Sequence, residues 1–106
     1  MITADHKALK RTYGEIIEIV TKVINEWDPY DLIRGGAPDN EFAHEVAQIA
    51  TKVHEINSPT ELAEVISKVF SMSFGPEWFS VTACMQVACQ LFADLQTRGL
   101  LELKKA

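Results

Sequence analysis

The chain has 106 residues, 47% of them hydrophobic and 24% charged, with ten basic against fifteen acidic side chains and a formal charge of −5. That size and balance predict one domain able to bury roughly two thirds of its unfolded surface without a disulfide or metal staple, and they exclude disordered and collagen-like chains. No apolar run approaches the roughly 20 residues of a bilayer span, and Met1 to Arg11 alternates charged and apolar side chains without the apolar core of a secretory signal; a soluble, cytoplasmic protein is expected.

A first helix is predicted over residues 4–27, where Leu9, Tyr13, Ile16, Ile17, Val20, Ile24 and Trp27 recur at steps of three and four. Thr3 is its expected N-cap, and Pro29 ends it by biasing Asp28 away from helical geometry. Two prolines and Gly35-Gly36 then make residues 28–40 a structured loop. The second helix, over 41–56, follows a cap at Asp39 or Asn40 and buries Phe42, Val46, Ile49, Val53 and Ile56. Ser58-Pro59-Thr60-Glu61 reads as a capping box that opens a third helix over 59–72, with Leu62, Val65, Ile66, Val69 and Phe70 inward. The fourth helix, over 77–98, turns Phe79, Val87, Leu91 and Leu95 inward and closes at Gly99-Leu100 in a Schellman motif. No strand pattern, internal repeat or low-complexity tract is present. The fold class is all-α, four main helices in an irregular array or bundle.

The residues that could carry chemistry form no constellation. Cys84 and Cys89 stand five apart, about 140 degrees around a helix, too far to pair; they are expected to be buried, inert thiols. His44-Glu45 opens a zinc-protease pattern whose second ligand position holds Gln48, and Glu41 with His44 matches one half of a di-iron site that has no second half. His44 lies about 200 degrees from Phe42 on the helical wheel and is expected in water. Gly35-Gly36-Ala37-Pro38-Asp39 precedes a helix start, yet Asp39 and Glu41 would repel a phosphate, so a bend is expected there. No catalytic residue, metal or cofactor is implied, and a non-enzymatic protein is expected.

Charge is placed unevenly. Residues 39–64 hold six acids, Asp39, Glu41, Glu45, Glu55, Glu61 and Glu64, against Lys52 alone. Asp39, Glu41, Glu45, Glu61 and Glu64 are expected to avoid the apolar stripes and to present a connected acidic surface. Such a surface excludes nucleic acid, whose phosphates require the opposite sign, and suits a basic protein partner. An ordinary solvated face that aids solubility is the alternative.

Glu26-Trp27-Asp28-Pro29, Leu32, Ala37-Pro38-Asp39, Glu41-Phe42 and Glu45-Val46 resemble the signature of the YugE-like bacterial family, with Phe70 and Phe74-Gly75 in support. The resemblance covers Ile16 to Gly75; the family pattern often has tyrosine where this chain has Phe42. It implies a small helical array and no activity, cofactor or catalytic residue. Read physically, Glu26, Trp27, Asp28, Pro29 and Pro38 are architectural: Trp27 packs at the base of the first helix, and the carboxylate of Asp28 or Asp39 bonds loop N–H groups. In size and charge the chain also resembles immunity proteins, which mask basic surfaces. Two other roles stay open at this level. One is small-molecule or metal binding by the loop with Asp39, Glu41, His44 and Glu45. The other is a homo-oligomer through the last helix, rich in Ala83, Cys84, Ala88, Cys89 and Ala93.

Overall fold

The computed structural model describes residues 2–38, 40–75 and 79–101, with side chains from Thr12 onward apart from that of Tyr30. The apolar steps of three and four become four α-helices: α1 (Ile2–Trp27), α2 (Ala43–Lys52), α3 (Pro59–Phe74) and α4 (Val81–Thr97). Single turns of 3-10 helix, Pro29–Asp31 and Val53–Glu55, follow α1 and α2. Among the described residues there is no strand.

The helix ends show which local signals prevail. α1 already includes Ile2, so Thr3 sits inside the helix and not at its cap. α2 begins later than expected, with Phe42 at the N-cap. The Glu41 N–H bonds the Pro38 carbonyl and the Ala43 N–H bonds that of Asn40, both at 3.0 Å, so Asn40, one of the two expected caps, lies in a tight turn ahead of the helix. Asp39, the other expected cap, lies outside the described residues. Regular α2 stops at Lys52, and the 3-10 turn carries the stripe on to a buried Ile56.

At α3 the Ser58 hydroxyl accepts the Glu61 N–H at 3.2 Å, while the Glu61 carboxylate reaches past the cap to the Asn57 N–H at 2.6 Å, one residue earlier than a standard capping box. α4 starts at Val81, where the Ser80 hydroxyl accepts the Ala83 N–H at 3.1 Å; the expected start at Glu77 lies outside the described residues. Its end is a full Schellman motif. Gly99 takes φ +70, its N–H bonds the Gln96 carbonyl at 3.0 Å, and the Leu100 N–H bonds that of Leu95 at 2.9 Å.

α1 touches α2 and α4, and α3 touches the same two helices, so the four form a closed circuit. The end of α1, the start of α2, the end of α3 and the approach to α4 meet in one aromatic cluster. Phe70 stands at its centre, with ring centroids 5.3 Å from Trp27, 5.4 Å from Phe79, 5.8 Å from Phe74 and 5.9 Å from Phe42. Helix ends and starts alternate at that pole, so successive helices run antiparallel. The Phe79 carbonyl ties α3 to α4: it accepts the Ser67 hydroxyl, and the Ser71 hydroxyl at 3.5 Å.

Gly14 sits mid-helix on an exposed face of α1, and a Cβ built there meets nothing within 4 Å. Gly14→Ala is therefore expected to raise stability by about 0.5–1 kcal/mol, the helical cost of glycine. Urea titration would show it as a higher midpoint at an unchanged slope.

Candidate functional site

The loop after α1 is organised by one carboxylate. Asp28 takes the left-handed conformation (φ 48, ψ 63), which Asp tolerates better than most residues. In that geometry its side chain turns under the loop, where Oδ1 accepts the Ile33 N–H at 2.8 Å and Oδ2 the Arg34 N–H at 3.0 Å. Asp28 is 3% exposed. Burial pushes its carboxyl upward, but the N–H groups of Ile33 and Arg34, with the Arg34 guanidinium 3.9 Å away, outweigh that and hold it below the ordinary value of 3.8. Pro29 is buried, Trp27 is half-buried with its ring edge against Phe70 and Phe79, and Glu26 and Pro38 are exposed. These interactions are all within the chain, and they hold the loop in one shape.

The acidic residues do not make one continuous surface. Glu41 and Glu45 sit at the start of α2, whereas Glu61 and Glu64 open α3 at the other end of the α2–α3 pair. Glu45, expected on the surface, is 6% exposed. It follows Phe42 by three residues and precedes Ile49 by four, which places it on the edge of the buried stripe, and as an acid in the first turn it suits the positive end of the helix. Glu61 spends its carboxylate on the cap of α3. Glu41 and Glu64 are exposed, and Asp39 lies outside the described residues.

A groove of about 470 Å³ runs between α2 and α3. Ile56, Val65, Val69 and Met72 give it an apolar floor, and Glu55, Glu61 and Glu64 stand along it toward the α2–α3 turn. Met72 is 76% exposed. Sequence reasoning ended the third helix there and missed its place in the groove. The signal was present: Met72 follows Val69 by three residues, continuing an apolar row beside the core stripe.

His44 and His54 are both exposed, and His54 Nε2 lies 3.5 Å from the Glu55 carboxylate. Among the described residues no three His, Cys, Asp or Glu side chains gather to hold a metal. The cysteines are unpaired and Cys84 is buried, both as expected, whereas Cys89, also expected inside, is exposed. The alternating steps of α4 send Cys84, Val87, Ala88, Leu91 and Leu95 inward and leave position 89 outside. Burial raises the Cys84 thiol to about 11. A thiol reagent at neutral pH is expected to modify Cys89 in the folded protein and Cys84 only after denaturation, countable by intact mass.

A family model described as "Domain of unknown function (DUF1871)" matches residues 19–97. That interval contains the Asp28 loop, the aromatic cluster, the groove and all of α4. No curated protein and no solved structure matches the chain. No helix among the described residues is long and apolar enough to cross a membrane.

Proposed function

The chain belongs to the DUF1871 family, a domain of unknown function, over residues 19–97, and from that premise we propose that it is a non-enzymatic, cytoplasmic protein-binding domain. We read it as one of the YugE-like bacterial proteins on the motif from Glu26 to Val46, and as a chain that covers a basic surface of another protein, as immunity proteins do. The observation that carries this reading is the coincidence of the α2–α3 groove with the acidic segment. Exposed Glu55 and Glu64 line the end of the groove at the α2–α3 turn and exposed Met72 its other end, so that apolar contact and charge attraction act along one surface. The same sign of charge disfavours a nucleic-acid backbone.

The test is retention of a protein from host lysate, followed by its affinity measured at low and physiological salt. The variant for comparison is Glu55→Lys with Glu64→Lys, which spares the buried Glu45 and the cap at Glu61. Wild type is expected to hold a basic protein with salt-sensitive affinity, weakened at least about tenfold in the variant. Equal affinity for both would exclude the acidic flank as the binding face.

A further inference from the structure

The walls of the groove carry side chains at regular helical steps. Gln48, Lys52 and Glu55 lie along α2 and its 3-10 continuation; Glu61, Val65, Lys68 and Met72 lie along α3. Steps of four, three and four are those of a helix–helix seam, in which a further helix sets its own ridge. From Glu61 to Met72 the seam is about 16 Å long, three helical turns. Charge is ordered along it. Glu55, Glu61 and Glu64 mark the end at the α2–α3 turn, Met72 the other end, and Lys52 and Lys68 stand between. Among the described residues Lys52, Glu64 and Lys68 take part in no ion pair within 4 Å.

We propose that this groove seats an amphipathic helix of a partner protein, its apolar stripe over Ile56, Val65, Val69 and Met72 and its Lys or Arg residues in the turn facing Glu55, Glu61 and Glu64. The inference rests on the protein-binding reading above and specifies the element that binds. A segment bound by strand addition would need a sheet edge, and a polyproline segment an aromatic-lined groove; the walls here are two helices, and among the described residues no aromatic side chain lines the groove. The basic turn follows from charge complementarity at the acidic end. Lys52 and Lys68 reject a helix that is basic along its whole length, which gives the site selectivity among cationic partners.

A library of peptides displayed on a fixed α-helical scaffold, selected on the full chain at physiological salt, tests this directly. Met72→Glu serves for counter-selection, and because Met72 is so exposed its melting curve is expected to match wild type. Selected peptides are expected to carry apolar residues at i, i+3 or i+4 and i+7 with Lys or Arg confined to one terminal turn. They should lose at least about tenfold in affinity on Met72→Glu and on Glu55→Lys with Glu64→Lys. Failure of any peptide to prefer wild type over Met72→Glu would overturn the proposal. So would a wild-type dimer, seen by sedimentation, that Met72→Glu dissolves, since the occupant would then be a second copy. A lysate partner whose binding survives Met72→Glu but not the double lysine variant would overturn the seated helix and leave the protein-binding reading standing.

Discussion

Phe70→Ala is expected to cost about 4 kcal/mol and to lower the melting temperature by about 20 °C. Phe70 is fully buried and its ring meets four others, from Trp27, Phe42, Phe74 and Phe79. Phe74 lies one turn further along α3, and the other three come from the end of α1, the start of α2 and the approach to α4. Removing the ring therefore opens a cavity where all four helices converge, and no single neighbour can fill it without leaving its own helix. The Trp27 ring, edge-on to Phe70 at 74°, loses a favourable aromatic geometry as well as contact area. Phe70→Leu keeps much of the volume and is expected to lose roughly half as much stability. Denaturant titration of both variants checks the order. A loss below about 1 kcal/mol for the alanine variant would show that the remaining rings close over the gap, and that the cluster is not what fastens this pole.

The second large effect is at Asp28. Asp28→Ala is expected to lower the melting temperature by about 10 °C, because it leaves the Ile33 and Arg34 N–H groups without their acceptor and puts alanine in a left-handed conformation it resists. Asp28→Asn separates the two causes. Asparagine tolerates the backbone and keeps one side-chain oxygen, so its loss should be smaller. The acid limb gives an independent check. A carboxyl held below its ordinary value in the folded protein contributes stability above about pH 4, the region where it is ionised when unfolded. That contribution disappears as pH falls through the lowered folded value. The melting-temperature gap between wild type and Asp28→Asn should thus be constant from pH 5 to 7 and shrink below about pH 4. A gap independent of pH would mean that the carboxylate charge is immaterial to the loop.

Much of this architecture was readable because it rests on short-range rules. The stripe Phe42, Val46, Ile49, Val53 and Ile56 is wholly buried as its spacing requires, and the Ser58 and Gly99 signals cap the helices they flank. The first helix was read less completely. It contacts both α2 and α4, so Ile19 and Val23 are buried beside the expected Ile16, Val20 and Ile24, while Tyr13 is 41% exposed. A helix with two neighbours buries a wider arc than one stripe describes. Glu45 was misplaced because its formal charge outweighed its position in the reading, although steps of three and four tied it to Phe42 and Ile49. The groove was illegible for a different reason. It belongs to no single segment and exists only once α2 and α3 lie side by side, and neither Met72 nor Glu55 announces in sequence which residues it will face.

The closed circuit of helices has a dynamic consequence. No helix sits at an edge: releasing any one of them breaks two interfaces at once, so partial opening offers little gain in chain entropy for the contacts surrendered. Amide hydrogen exchange should accordingly show the cores of α2, α3 and α4 opening together, at the free energy of global unfolding. The turn after α1 is fastened by Asp28 and not by membership of the circuit. Its amides at Ile33 and Arg34 are expected to exchange by a separate, shallower route, so this domain would breathe at its loop while its helices stay shut.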